Sequence, residues 1–152
     1  MIQKLKLENW KSHHELELNF KKGANVILGQ MGSGKSSILQ AMAYALFGTF
    51  SELKSRDVKI SDLLTRGSGM GTADVSLDLD EFQIRRVVNP AKASEATVRD
   101  KDGKLLAGPN PTQVNDFIKN RLKVDEELFL KTIYAKQNEI DVFLQLDRKS
   151  VV

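Results

Sequence analysis

The chain has no cysteine among its 152 residues, only one tryptophan and only three prolines. Without thiols it can form neither a disulfide nor a thiolate metal site, and a reducing interior suits it best. No apolar stretch approaches the roughly 18 residues of a membrane span, and the N-terminus carries no hydrophobic signal region. A cytoplasmic location without a membrane partner is therefore expected. Neither sign of charge dominates: 23 basic residues against 20 acidic ones leave +3, too little to argue nucleic-acid binding on its own. Repeats, low-complexity tracts and linkers are missing too. The remaining composition, 41% hydrophobic and 28% charged, is that of a globular domain long enough to bury one core.

Hydrophobic periodicity supplies the elements. Ile2 to Glu8 and Leu16 to Phe20 alternate apolar and polar residues and read as half-buried strands, joined through Lys11-Ser12-His13-His14. Asn25-Val26-Ile27-Leu28 has no polar face, as a central parallel strand would have none. From Lys35 to Phe47 the apolar residues fall at helical spacing, with Gly48 as the stop. Val75 to Leu79 and Phe82 to Val88 form a second strand pair. Val98 and Leu105-Leu106 flank an Asp102-Gly103 turn signal. Pro111 opens a helix to about Leu122 with Val114, Phe117, Ile118 and Leu122 on one face. A further helical stretch runs from Glu126 to Lys131. This order predicts an α/β fold: a mixed sheet with an appended antiparallel layer.

One stretch carries chemistry. "GQMGSGKSS", residues 29 to 37, matches G-x-x-x-x-G-K-[ST] through Gly29, Gly34, Lys35 and Ser36. Glycines let successive backbone N–H groups curl around a phosphate, and the helix that follows points its positive end at the anion. In that pattern Lys35 reaches the β- and γ-phosphates, and the Ser36 hydroxyl is a ligand for Mg²⁺. The apolar run before the loop and the helix after it are the required context. A nucleotide-binding P-loop protein is the reading.

A phosphate cradle alone hydrolyses nothing. P-loop ATPases also need a carboxylate, delivered by an apolar strand, to hold the metal and position water. Val75-Ser76-Leu77-Asp78-Leu79-Asp80-Glu81 is the one candidate, but it alternates, so one face is polar and solvent-facing. We read its acids as non-catalytic.

At this point the chain resembles a family. "ENWKSHHELELNF", then "GANVILGQMGSGKSSILQAMAYALFG", then "YAKQNEID" are together similar to the N-terminal half of an ATPase head of the structural-maintenance-of-chromosomes type. The family it resembles most is the coiled-coil ATPases of double-strand-break repair, archaeal in type. The resemblance implies an N-terminal lobe, residues 1–152, of an ABC-type P-loop NTPase, with the phosphate loop at 29–36 and a Q-loop around 137. In such proteins the coiled coil and the C-terminal half come later in the chain, and that half brings the signature loop and the catalytic carboxylates. ATP is then held between two heads, and its binding and hydrolysis drive head pairing, DNA binding and control of a partner nuclease. ATP and Mg²⁺ are the implied cofactors, and zinc would enter only at a coiled-coil hook outside these residues. The implied partners are the chain's own C-terminal half, a second head, a repair nuclease and double-stranded DNA, which makes the protein DNA-associated. This chain by itself would then be inactive.

Residue by residue, the resemblance places Lys11 near the nucleotide and makes Met31, Gly32, Ser33, Gly34, Lys35, Ser36 and Ser37 the phosphate cradle. Thr65, Arg66 and Gly67 match a short nucleotide-contacting segment. Gln137 matches the Q-loop glutamine, a ligand to Mg²⁺ beside Ser36 and, with Lys35, one of the two residues assigned to catalysis. The family usually has Asn where this chain has Met31. Three other readings stay open: a self-sufficient P-loop phosphotransferase, a non-enzymatic nucleotide-gated scaffold that clamps DNA without fast hydrolysis, and a related recombination or chromosome-maintenance ATPase. Trp10 is expected in the core. The side chains of His13 and His14 should diverge on an extended segment, and Lys119, Arg121 and Lys123 read as a solvated helix end.

Overall fold

The computed structural model describes residues 1–130. β1 (Ile2–Trp10) turns at Lys11-Ser12 into β2 (His13–Asn19), and the chain then leaves the sheet for the phosphate loop. Helix α1 (Lys35–Phe47), a short α2 (Ser51–Lys54) and a 3-10 turn (Ile60–Leu63) follow. The chain re-enters the sheet as β3 (Ala73–Leu79), β4 (Phe82–Val88), β5 (Glu95–Asp100) and β6 (Leu105–Ala107). Helices α3 (Pro111–Leu122) and α4 (Glu126–Leu128) complete the described elements.

The six strands pair antiparallel in the order β2-β1-β3-β4-β5-β6. β1 and β3 are neighbours in space, with Leu5 opposite Leu77 and Leu7 opposite Val75. The whole excursion from residue 20 to 72 therefore leaves from the edge strand β2 and returns at β3, the two strands that flank β1, and contacts from the end of β1 and its turn hold the phosphate loop there. Alternation sorts the side chains as period 2 requires. Leu5, Leu7, Val75, Leu77, Ile84 and Val98 are fully buried on the inner face, where α1 and α3 cover them. The three alanines Ala41, Ala43 and Ala45, all buried, let α1 lie close on the strands.

Helix α1 spans the residues that periodicity predicts, and Gly48 ends it in the left-handed conformation at φ 70°. Its last carbonyls are held by a buried cation. Arg86 occupies an inward position of β4, is 2% exposed and donates from Nε to the Ala45 carbonyl at 2.7 Å and from Nη2 to that of Leu46 at 3.0 Å. A third bond, from Nη2 to Asn115 Oδ1 at 2.7 Å, ties both to α3. Burial pushes the guanidinium down to about 10, so it still carries its charge at neutral pH, against the negative end of α1. Helix α3 also starts as expected: Asn110 caps it by accepting from the Thr112 amide at 2.8 Å, and Pro111 is its first residue.

Three expectations change. The strand over 25–28 is not formed. Val26 and Leu28 are 78% and 87% exposed, because a strand exists only by pairing and none of the described strands lies beside this segment. The sheet accordingly shows antiparallel pairing throughout its described strands. The hairpin between β5 and β6 turns over Lys101-Asp102, with Gly103 at φ 85° directly after them, closed by Gly103 N–H to the Asp100 carbonyl at 3.0 Å. The helix expected to reach Lys131 is α4 plus a wider turn at Phe129-Leu130, and Lys131 lies outside the described residues.

The polar face of β3 is outward, as its alternation implies. Asp74 pairs with Arg85, Asp78 accepts from Gln83 Nε2 at 2.6 Å, and Asp80 meets the N-terminal ammonium at 2.5 Å. These carboxylates stand on the opposite face from α1.

Trp10, at the end of β1, is fully buried, packed on Tyr44 and Phe50 with ring centroids at 5.4 and 6.4 Å. Its Nε1–H donates to the Ser37 carbonyl at 3.0 Å, so one side chain both fills the core and pins the first turn of α1. Packing and hydrogen bond can be separated. Trp10→Phe should cost about 1–2 kcal/mol and Trp10→Ala about 3–5 kcal/mol in urea denaturation; equal losses would show that the indole N–H carries the contribution instead of the ring.

Candidate functional site

Residues 29–34 form a tight loop that delivers the chain into α1. Gly32 and Gly34 have φ of 79° and 90°, a region that residues with a side chain adopt at a cost. Gly34 has a second reason to be glycine: a Cβ there would overlap Ser12 Oγ and His13 Nε2. The loop is closed by Ser33 N–H to the Gln30 carbonyl at 3.1 Å. Lys35 folds back over it, donating to the Gly29 carbonyl and to that of Gln30 at 3.2 Å.

Helix α1 begins without a side-chain cap and without an acid in its first turn. Its leading N–H groups therefore retain their hydrogen-bonding capacity and their positive end of the helix dipole. Uncapped amides, a glycine backbone and an ammonium converge on a cleft of about 610 Å³, lined by Met31, Gly32, Gly34, Lys35, Ser36 and Ser37, with Lys11 and Ser12 at its edge. A polyphosphate suits this lining, which offers backbone amides, hydroxyls and two ammonium groups and no carboxylate. Toward a divalent metal the described residues offer less. Ser36 presents an exposed hydroxyl, and no group of three His, Asp or Glu that could hold a metal occurs among the described residues.

A second cleft of about 600 Å³ adjoins the first and shares Lys11 and Ser12 with it; Asp57, Val58, Asp62, Leu64, Thr65 and Arg66 complete its lining. The expected Thr65-Arg66 segment is thus placed beside the phosphate loop. Thr65 is buried, and its hydroxyl donates to the His13 carbonyl at 3.2 Å, so it fastens the β1–β2 turn. Arg66 is exposed at the rim. Gly67 follows at φ 74° with open space around it.

Lys11 sits at the junction of the two clefts in a left-handed conformation, φ 48°. Its Nζ donates to Gln40 Oε1 at 2.5 Å and lies 5.7 Å from the Phe50 ring centroid. Burial lowers the ammonium from the usual lysine range, an effect that Glu52 and Asp62 partly offset.

The structure therefore brings Lys11, Met31, Gly32, Gly34, Lys35, Ser36 and Ser37 to one cleft and Thr65 and Arg66 to the next. Ser33 is in the loop between them, and Gln137 lies outside the described residues. Sequence reasoning missed Ser12, His13 and Gln40. Gln40 carried a faint signal, a polar residue one helical turn after Ser36 in an otherwise apolar run. His13 carried only its place two residues after Lys11.

The AAA-domain family matches residues 4–151. Among curated relatives, the DNA double-strand break repair Rad50 ATPase of Methanococcus maripaludis is 33% identical over 160 residues, covering all of this chain and 15% of the relative. That of Thermococcus kodakarensis is 35% identical over 161 residues, covering 99% of this chain and 17% of its own length. The chain thus spans about a sixth of the relatives it matches. Among solved structures, the SMC head domain from Thermotoga maritima superposes with a TM-score of 0.56 at 23% identity, covering 76% of this chain and 41% of that one. The recombination mediator protein RecF, solved as RecF-ATPrS, gives 0.58 at 21% identity over 76% and 29%. These last two share the fold, that of P-loop ABC-type ATPase heads. By its loop, its sheet and these matches, the chain belongs to the AAA-domain family and matches the N-terminal ATPase head region of archaeal Rad50.

Proposed function

We propose that this chain is the ATP-binding half of a DNA-repair ATPase head, completed by a C-terminal half and working as a pair of heads. The observation that carries the reading is the cleft at the start of α1: uncapped amides, a left-handed glycine at position 34 and Lys35 in one place. In this reading the loop amides from Gly32 to Ser36 hold the β-phosphate. Lys35 moves from the Gly29 and Gln30 carbonyls to the β- and γ-phosphates. Ser36 and Gln137 would hold Mg²⁺, which would supply neutralisation of charge on the phosphates. The adjoining cleft under Thr65 and Arg66 takes the nucleoside.

Hydrolysis needs a base or water-positioning acid, and the acids of β3 face away from α1 and are paired there. We therefore assign the catalytic carboxylate to the C-terminal half and the signature loop to a second head. The exposed apolar run at Val26 and Leu28 supports the same division, since it suits a strand whose neighbours come from elsewhere. DNA binding and control of a repair nuclease belong to this reading by the similarity to Rad50.

Three outcomes test it. The 152-residue chain should show no ATP turnover by itself and should gain it when mixed with its C-terminal half. Lys35→Ala should abolish that turnover and weaken nucleotide binding roughly ten- to a hundred-fold, the value of a charge-assisted contact. Turnover by the isolated chain that survives Lys35→Ala would refute the half-site reading. For Gln137→Ala, kcat of the reconstituted head should fall more than ATP affinity does; a tenfold affinity loss at constant kcat would make Gln137 a binding contact only.

Met31 tests head pairing. It is fully exposed on the lip of the cleft, where the family usually has an amide. A thioether accepts hydrogen bonds weakly, whereas Asn offers two donors and an acceptor. One net bond regained at each of two symmetric sites predicts that Met31→Asn tightens ATP-dependent dimerisation of the complete head roughly five- to a hundred-fold. Sedimentation with a slowly hydrolysed ATP analogue measures it, and unchanged or weaker pairing would mean that position 31 does not face the partner head.

A further inference from the structure

We propose that His13 is a positioning residue of the phosphate loop: through Gly34 it sets the direction of the Lys35 amide. This rests on the nucleotide-binding reading above and adds a residue to it. His13 Nε2 lies 3.0 Å from the Gly34 carbonyl oxygen. A carbonyl only accepts, so Nε2 carries the proton and donates. The contact reaches the peptide between Gly34 and Lys35, and in a trans peptide the C=O and N–H point in opposite directions. Holding the carbonyl toward His13 therefore turns the Lys35 N–H away from His13 and toward the cleft side of the loop, where the α1 amides gather.

As the N-cap of α1, Gly34 already offers its carbonyl to the first helical bond, and His13 adds a second restraint from outside the helix. Gly34 has no side chain, sits at φ 90°, and can rotate its flanking peptide more readily than any other residue. The ring that restrains it is itself anchored. His13 pairs with Trp10 across the β1–β2 turn, and its carbonyl accepts from Thr65 Oγ1 at 3.2 Å. Thr65 lines the second cleft, so one chain of bonds, Thr65 to His13 to Gly34, joins the two clefts. Trp10 at the Ser37 carbonyl and Lys11 at Gln40 hold the following turns of α1 from the same β-turn. The His13 contact differs in acting ahead of the helix, on the last residue of the loop.

The test measures binding of a slowly hydrolysed ATP analogue and of tripolyphosphate to the full-length protein. His13→Phe keeps the ring and loses the donor; His13→Gln places an amide nitrogen where Nε2 was; His13→Asn places one too short to reach Gly34. His13→Phe and His13→Asn should weaken both ligands roughly three- to ten-fold, the value of one lost hydrogen bond, and His13→Gln should recover to within about twofold. The ligand-free urea midpoint of His13→Gln should match that of His13→Asn, which separates positioning from folding. Lys35→Ala, measured alongside, checks the underlying reading. Loss of binding in Lys35→Ala with none in His13→Phe or His13→Asn overturns this proposal alone. So does a loss confined to the ATP analogue, or a His13→Gln no better than His13→Asn. A wild-type protein that binds neither ligand overturns both. Should His13→Phe fail to fold, the Gln and Asn pair decides.

Discussion

Helix α1 has its two ends treated in opposite ways, and the site follows from that asymmetry. At the C-terminal end a buried guanidinium, Arg86, holds the Ala45 and Leu46 carbonyls, and Gly48 turns the chain away. An unpaired cation in a core is costly unless it is fully hydrogen-bonded. Here the three acceptors and the negative helix end supply what a carboxylate otherwise would. At the N-terminal end nothing comparable happens. Gly34 contributes no side-chain cap and the first turn contains no acid, so the amides and the positive pole are left to a ligand. Closing one end inside the core and leaving the other uncapped gives the helix a single chemically open face, directed at the cleft.

An open helix end is useful only if the loop before it holds its shape. Glycines give the loop its path and also its freedom to depart from it. The β1–β2 turn restrains that freedom with Trp10, Lys11 and His13, which reach Ser37, Gln40 and Gly34 in turn. Because β1 lies inside the sheet between β2 and β3, the turn inherits the rigidity of the core. The same turn forms the wall shared by the two clefts, through Lys11 and Ser12. The two clefts are therefore positioned by one element.

Much of this was legible in the sequence wherever the determinants are local. Helix α1 is bounded by its own glycine and its own periodicity, α3 by Asn110 and Pro111, and β3 by strict alternation; each carries its start and stop within a few residues. The run at 25–28 misled because composition reports that a segment could be a buried strand, while pairing requires a neighbouring strand, and none of the described strands lies beside it. Arg86 was illegible for a related reason. Alternation along β4 sends it inward, but only the position of α1 supplies carbonyls for it to hold. The contacts from Trp10 and His13 span 27 and 21 residues of chain and depend on the path of the loop between, which no pattern encodes. Lys11, Thr65 and Arg66 were placed by resemblance, and the geometry assigns Thr65 a fastening role that resemblance did not suggest.

The charge around the cleft suits an anion better than it suits the activation of water. Lys35 and the amides of α1 favour an anion, and Lys11 stands at the junction where a bound nucleotide would pass. Of the acids nearby, Asp57 and Asp62 belong to the second cleft, while Asp74, Asp78 and Asp80 are engaged on the outer face of the sheet. A site rich in donors and cations and without a carboxylate suits a triphosphate in its ground state, where charge is already concentrated on oxygen. Activating water requires a base, and a base placed here would weaken binding by repelling the phosphates unless a metal lay between them. On the proposed reading, a carboxylate brought from another segment would let the cradle bind first and acquire reactivity only on assembly. In this arrangement nucleotide occupancy can be coupled to the joining of parts, because the bound state and the reactive state require different sets of residues.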